Sequence, residues 1–342
     1  MPGGKELLYA RREPENTTLW RVPVTGSASP KQVNWPGAPG YHVGITLAGD
    51  RLVWAQAAED RNIYRIDLPP SGGKPNPPVI LASSTRIDTQ PTVSPDGKRL
   101  AFLSFRSGSM EIWACGADGS DVIQLTSFGG AATTSPQWSP DGLEIAFDSR
   151  LKGQADIYLI SSVGGKPRRL TDHAANDTAP TWSRDGKWIY FTSDRSGEPQ
   201  IWKMPSRGGE AIPVTKRDGH SAFESPDGRY IFYAKSRGSF LASLWRVAVQ
   251  GGEETEISAE LWSCSNFFVA EDGIYFIQPQ IRGDLHPVAF YRFSTGQIER
   301  ITVFDKIASC GLSLWPRNRP RHLYLSLYER GEGDLMMAEG FR

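Results

Sequence analysis

The sequence predicts an all-β fold, a single β-propeller of four-stranded antiparallel blades spanning 1–342, and three observations lead there. A unit recurs: PTVSPDGKRLAFLSFRSGSMEIWACGADGSDVIQLTS starts at Pro91, PQWSPDGLEIAFDSRLKGQADIYLISSVGGKPRRLTD at Pro136, and PTWSRDGKWIYFTSDRSGEPQIWKMPSRGGEAIPVTK at Pro180. The turn residues Asp96, Asp141, Asp185, Asp227 and Asp272 stand 45, 44, 42 and 45 apart, close to the length of one propeller blade. Gly 35 and Pro 25 together make up about 18% of 342 residues, against a usual share of about 12%, which favours many turns over long helices.

Within a unit the residues read as four short strands, A to D. Strand A is the QWS or TWS stretch, and the D-G pair after it supplies the polar residue and the glycine that a tight turn needs. Strand B follows, as in Glu144 to Ser149, Trp188 to Ser193 and Tyr230 to Lys235, apolar on both faces as a strand between two neighbouring sheets should be. Strand C carries a recurring aromatic, at Trp20, Tyr64, Trp113, Tyr158, Trp202, Trp245 and Tyr291, expected to fill the spaces between blades. A Gly-containing turn then leads to strand D, ending in LT, VT, IS or IT.

Repeats lie near 4–34, 42–82, 90–126, 135–171, 179–215, 221–258, 266–302 and 311–340, with weaker turn equivalents at Asp50 and Asn318. The first begins at strand B and the last ends at strand C. Pairing Lys31–Asn34 with Leu335–Ala338 would complete one blade from the two ends and give seven blades; leaving both incomplete gives eight. Seven is preferred, because it leaves no unpaired inner edge.

Composition excludes several classes of function. Lys+Arg and Asp+Glu are both 38, so the basic bias of a nucleic-acid or anionic-membrane surface is missing. The start MPGGKELLYARREPE has no apolar stretch of the signal-peptide kind, and no run approaches 18 apolar residues, so neither a leader nor membrane insertion is expected. Cys115, Cys264 and Cys310 form an odd set without C-x-x-C spacing, and Cys264 and Cys310, at equivalent places in adjacent repeats, are expected as free thiols.

S-P-D-G-K/R at Ser94 to Lys98 and Ser225 to Arg229, with S-D-R-S-G at Ser193 to Gly197 and I-W at Ile201 and Trp202, resembles the TolB-type, WD-repeat-like β-propeller over nearly the whole chain. The arrangement is also similar to the C-terminal propellers of bacterial CadC-type winged-helix regulators and of receptor-like kinases. That resemblance implies a bacterial signalling or regulatory setting, periplasmic where the propeller is fused to a membrane-anchored regulator and cytoplasmic where the chain is complete.

Motifs for chemistry are missing. Neither GHSAF nor GLSLW completes G-x-S-x-G, and SRDGKW from Ser183 resembles a sialidase aspartate box only in part. The five histidines lack metal-ligand pairing and each D-G turn offers one carboxylate, so no catalytic residue, metal or cofactor is expected. An arginine does recur in the B–C loops, at Arg106, Arg150, Arg195, Arg237 and Arg282. Those loops share a rim with the D–A loops bearing Asp88, His173, Asp177, His220 and Trp262. Two roles follow: a ring of donors and acceptors for a protein, a peptide or a small ligand, or clamps on the loops of adjacent blades, against Asp88 or Asp177. The clamp is favoured, because every repeat carries it. The functional expectation is a non-catalytic, monomeric binding or sensing propeller. The alternative is the propeller of a prolyl-oligopeptidase-like hydrolase without its catalytic domain, or a channel-lined lyase or glycosidase.

Overall fold

A computed structural model describes residues 6–12, 17–25, 29–33, 41–48, 51–57, 60–68, 75–84, 86–238, 240–281, 286–303, 306, 308–315, 321–329 and 333–338. Arg282, Asp50, Asn318 and Asn34 lie outside them. All regular structure among the described residues is β. The chain, read from its repeats as one domain, divides into two compact units, Arg61–Tyr328 and a second made of Met1–Asp60 with Glu329–Arg342.

The unit Arg61–Tyr328 is a closed ring of six four-stranded antiparallel blades. Blade I comprises Asp88–Val93, Arg99–Ser104, Glu111–Gly116 and Ile123–Gln124 as strands A to D. Blade II comprises Thr133–Trp138, Glu144–Lys152, Gln154–Ser161 and Arg168–Arg169; blade III comprises Asp177–Trp182, Trp188–Ser193, Gln200–Pro205 and Ile212–Pro213. Blade IV holds His220–Glu224, Tyr230–Ser236, Leu241–Ala248 and Thr255–Trp262, and blade V holds Phe267–Val269, Gly273–Ile277, Pro287–Arg292 and Ile298–Val303. Blade VI joins the two ends of the unit: Ala308–Trp315 and Arg321–Tyr328 supply A and B, and Arg61–Leu68 and Val79–Ala82 supply C and D.

The second unit contains two three-stranded sheets. One runs Glu6–Arg12, Thr17–Pro23, Lys31–Val33, and the other runs Gly333–Ala338, Arg51–Ala57, Tyr41–Ala48. Eight sheets therefore stand among the described residues, equal in number to the eight repeats of the sequence and close to the seven blades preferred from it.

The closure read from the sequence is corrected. Lys31–Val33 pairs with Leu19–Arg21, while Leu335–Ala338 pairs with Leu52–Ala55. Repeats 42–82 and 311–340 each divide between two sheets, which counting repeats cannot anticipate. The reason lies in the ladder from Arg321↔Leu68 to Tyr328↔Arg61, eight consecutive pairs. It gives each of the two strands a full-length partner and buries Tyr64, Ile66, Leu323 and Leu325 in one cluster.

Six hydrophobic clusters fill the six spaces between consecutive blades of the ring. The strand C aromatics behave as their periodicity implies. Tyr64, Trp113, Tyr158, Trp202, Trp245 and Tyr291 each join the cluster facing the preceding blade. Such a layout distributes the core around the ring, so that each blade is held by its two neighbours.

The D-G turns form as expected. At Ser183 to Lys187, the Asp185 carboxylate accepts from Ser183 Oγ at 2.7 Å and from Lys187 N at 3.0 Å. Gly186 takes φ +70°, the left-handed region that a glycine enters without a Cβ clash.

Candidate functional site

The rim with the B–C and D–A loops holds the recurrent arginines, and two of them are clamps. Arg106 Nη2 lies 2.8 Å from Asp88 Oδ2, and its Nε donates to Ser104 Oγ at 3.0 Å. Arg195 repeats this in blade III, with Nη2 at 2.9 Å from both oxygens of Asp177 and Nε at 2.9 Å from Ser193 Oγ. Both carboxylates are 0% exposed. The guanidinium of Arg195 also stands 4.8 Å from the Trp202 ring centroid, a desolvated cation–π geometry.

These clamps close within one blade rather than onto the adjacent one. Asp88 and Asp177 open strand A opposite Ser104 and Ser193, and each arginine follows its serine by two residues. Each chain reversal therefore returns its guanidinium to its own blade. Among the described arginines, Arg150 follows the expected course: its Nη1 donates to Asn176 Oδ1, on the loop entering blade III, at 2.7 Å. Arg237 pairs with Glu256 of its own blade.

The remaining candidates scatter. His173 Nδ1 accepts from Ala175 N within a turn, and His220 pairs with Asp218. Trp262 stacks on Phe240, with centroids 5.4 Å apart, and lies against His286. The ring of donors and acceptors, the less favoured of the two roles, is divided among the described residues into local pairs.

The channel at the centre of the ring has its own repeated device. Gln90, Ser135, Ala179, Ser221 and Gly311 each sit at positive φ, where strand A bulges against strand B. The bulge releases a backbone N–H, and the preceding blade supplies the acceptor. Gln90 Oε1 takes Ser135 N at 2.8 Å, Asp148 Oδ1 takes Ala179 N at 3.0 Å, and Asn266 Oδ1 takes Gly311 N at 2.9 Å. Each such bond satisfies a buried donor and ties one blade to the next. Burial pushes the Asp148 carboxyl above the usual carboxylate range, against the bonds from Thr134 and Ala179.

Toward the D-G turns the channel opens into a cavity of about 370 Å³, within the size range of small-ligand sites. Its walls differ from side to side. Phe223, Phe268 and Leu314 make one side apolar, whereas Thr92, Gln137 and Thr181 make the other polar. Trp138 and Trp182 stand between blades, their Nε1–H groups donating to the Thr92 and Gln137 carbonyls at 3.1 Å.

Glu224 is the one carboxylate in this lining. One of its oxygens accepts from Arg184 N, and the other lies 3.5 Å from Tyr190 Oη. Burial raises its pKa above the ordinary glutamate value, opposed chiefly by the Arg184 N–H. The Arg184 side chain is engaged elsewhere, 3.0 Å from Glu271.

A ring of four-stranded blades, S-P-D-G turns and inter-blade strand C aromatics are now in place, and the TolB beta propeller domain family matches residues 50–266. The chain belongs to the TolB β-propeller family. A TolB-type protein of Agrobacterium tumefaciens superposes with a TM-score of 0.63 at 21% identity, over 79% of this chain and 99% of its own. The TolB of Acinetobacter baumannii gives 0.58 at 18% identity, over 96% and 80%. A puromycin-hydrolysing peptidase of Mycobacterium tuberculosis gives 0.52 at 14%, over 88% of this chain and 51% of that one. These likenesses are of fold.

The sequence reading put its candidate residues on the rim of the B–C and D–A loops and named none at the D-G end of this TolB propeller. One signal was present. The residue before the turn serine is Val93, Trp138 and Trp182 in three repeats, and Glu224 breaks that apolar pattern in the fourth.

Proposed function

We propose that this TolB-family chain is a non-catalytic binding propeller, a sensing or scaffolding module of a bacterial signalling or regulatory protein, and that its ligand enters the channel at the D-G rim. The observation that carries this reading is the mixed lining of the 370 Å³ mouth, with an apolar wall and a single carboxylate. Hydrolysis by paired carboxylates needs two such groups flanking a scissile bond, and nucleophilic catalysis needs an activated nucleophile beside a base. A cavity with one side apolar, one side polar and one charge is suited to orienting a ligand.

The likeness to a puromycin-hydrolysing peptidase supports a second reading, the propeller of a hydrolase whose catalytic domain is a separate segment. One experiment tests the binding reading against catalysis by this chain itself. Purified chain is assayed against ester, peptide and glycoside substrates, and in parallel Phe223→Leu is compared with wild type for ligand capture. The binding reading expects no turnover and weakened capture, with circular dichroism showing that Phe223→Leu keeps the fold; turnover abolished by one point change would establish an enzyme instead.

A further inference from the structure

Two charged residues, Arg184 and Glu224, are in the lining of the channel mouth, and the charged groups around them pair off as follows. Arg184 is matched by Glu271 at 3.0 Å, and Asp185 by Lys187 at 3.0 Å. Lys203 is occupied with the Val249 carbonyl at 2.6 Å and lies over the Trp188 ring. Glu224 has no ion pair of its own among the described residues and receives only the Arg184 N–H and the contact with Tyr190. Phe223 and Phe268, their rings 5.9 Å apart, line the same cavity.

A partly buried carboxylate sharing one cavity with aromatic rings matches one class of ligand. A cation replaces the lost solvation of the carboxylate, and the rings accept both an apolar body and the positive edge of the charge. An anion would meet the like charge of Glu224 with Arg184 already committed, and a neutral apolar body would leave Glu224 uncompensated.

We infer that the mouth recognises a primary ammonium group carried on an apolar body, with the ammonium against Glu224 and the body against Phe223 and Phe268. This rests on the mouth being the binding site. The ammonium has two possible sources, a free small amine or a lysine of a partner polypeptide beside an apolar residue. Binding is coupled to protons. The groups facing Glu224 are Arg184, Asp185, Tyr190 and Lys203, and burial has already raised its pKa. Affinity therefore climbs with pH as Glu224 ionises, and ammonium binding releases a proton from the fraction still protonated.

Titration calorimetry on the full chain tests this with three probes: 2-phenylethylamine, its neutral analogue 2-phenylethanol, and acetyl-Phe-Lys-amide. An ammonium site binds at least one of the cationic probes about tenfold or more tighter than the alcohol. In Glu224→Gln that advantage and the acid-side pH slope both disappear, while melting does not fall below the wild-type value because glutamine still accepts the Arg184 N–H. The tighter of the two cationic probes identifies the source. Equal binding of amine and alcohol, or an unchanged amine affinity in Glu224→Gln, overturns the ammonium class but leaves the cavity reading standing if Phe223→Leu weakens both. Failure of all three probes to bind overturns the ammonium class.

Discussion

Arg195 Nη2 stands 2.9 Å from both carboxylate oxygens of Asp177, inside a single blade, with Asp177 0% and Arg195 13% exposed. The pair fixes the B–C loop to the start of strand A. Its removal strands a buried carboxylate, which costs about 3 kcal/mol or more. Arg195→Ala should therefore lower the melting temperature by about 6–12 °C while leaving ligand affinity at the channel mouth unchanged. Calorimetric melting and binding of the same sample check both parts; lost affinity with unchanged melting would make the rim a site.

Gly311 is at φ +93°, and an added Cβ would stand 2.5 Å from Gln90 Cα in the neighbouring blade. Gly311→Ala should cost more than about 2 kcal/mol, since backbone conformation and inter-blade contact fail together. Denaturant unfolding measures it. The same change at Gly153, also at positive φ but with nothing within 4 Å, meets no such clash and should cost less.

The turn carboxylates provide acid sensitivity. Hydrogen bonds from Lys187 N and Ser183 lower Asp185 from 3.8 to about 2. A folded-state pKa below the unfolded one contributes stability above the unfolded value, and that contribution is lost as pH falls through the folded one. Asp185→Asn should be less stable than wild type by about 0.5–1 kcal/mol at neutral pH, a small figure because the side chain is 51% exposed. The gap should close as pH falls from 3.8 toward about 2.

Asp148 runs in the opposite direction. Its folded-state pKa is raised by burial, so its contribution is fully present below the ordinary carboxylate value and declines as pH rises through it. Asp148→Asn keeps the shape and can still accept the Ala179 N–H. Its stability relative to wild type should improve as pH rises from 3.5 toward neutrality, as followed by urea unfolding at several pH values. A constant difference would remove Asp148 from the pH dependence.

Ring closure through Arg61–Leu68 and Arg321–Tyr328 implies that these strands open together. Ile66→Ala removes a side chain from their common cluster and should cost about 2–4 kcal/mol. Hydrogen exchange should show the amides of both strands losing protection as one unit; loss confined to Arg61–Leu68 would argue against a shared ladder.

Local chemistry determined most of the fold before any contact was known. The D-G turns, the strand B runs such as Trp188–Ser193 and the strand C aromatics follow from backbone preference and a two-residue period, both of which act over a few residues. Asp88 and Asp177 could be named as arginine partners from the sequence, because recurrence marked them. What the sequence could not decide was non-local. Arg61–Leu68 joins Arg321–Tyr328 across almost the whole chain, and nothing in either strand alone distinguishes that partner from the one next to it in its own repeat. Whether a guanidinium turns into its own blade or the next depends on strand register, and a cavity at the D-G rim depends on how six inner strands are spaced around a channel. Glu224 became a site candidate only when the closed ring brought its strand and Phe268 of the next blade to one cavity, because a carboxylate's significance depends on the solvent and charge that the assembled fold removes from it.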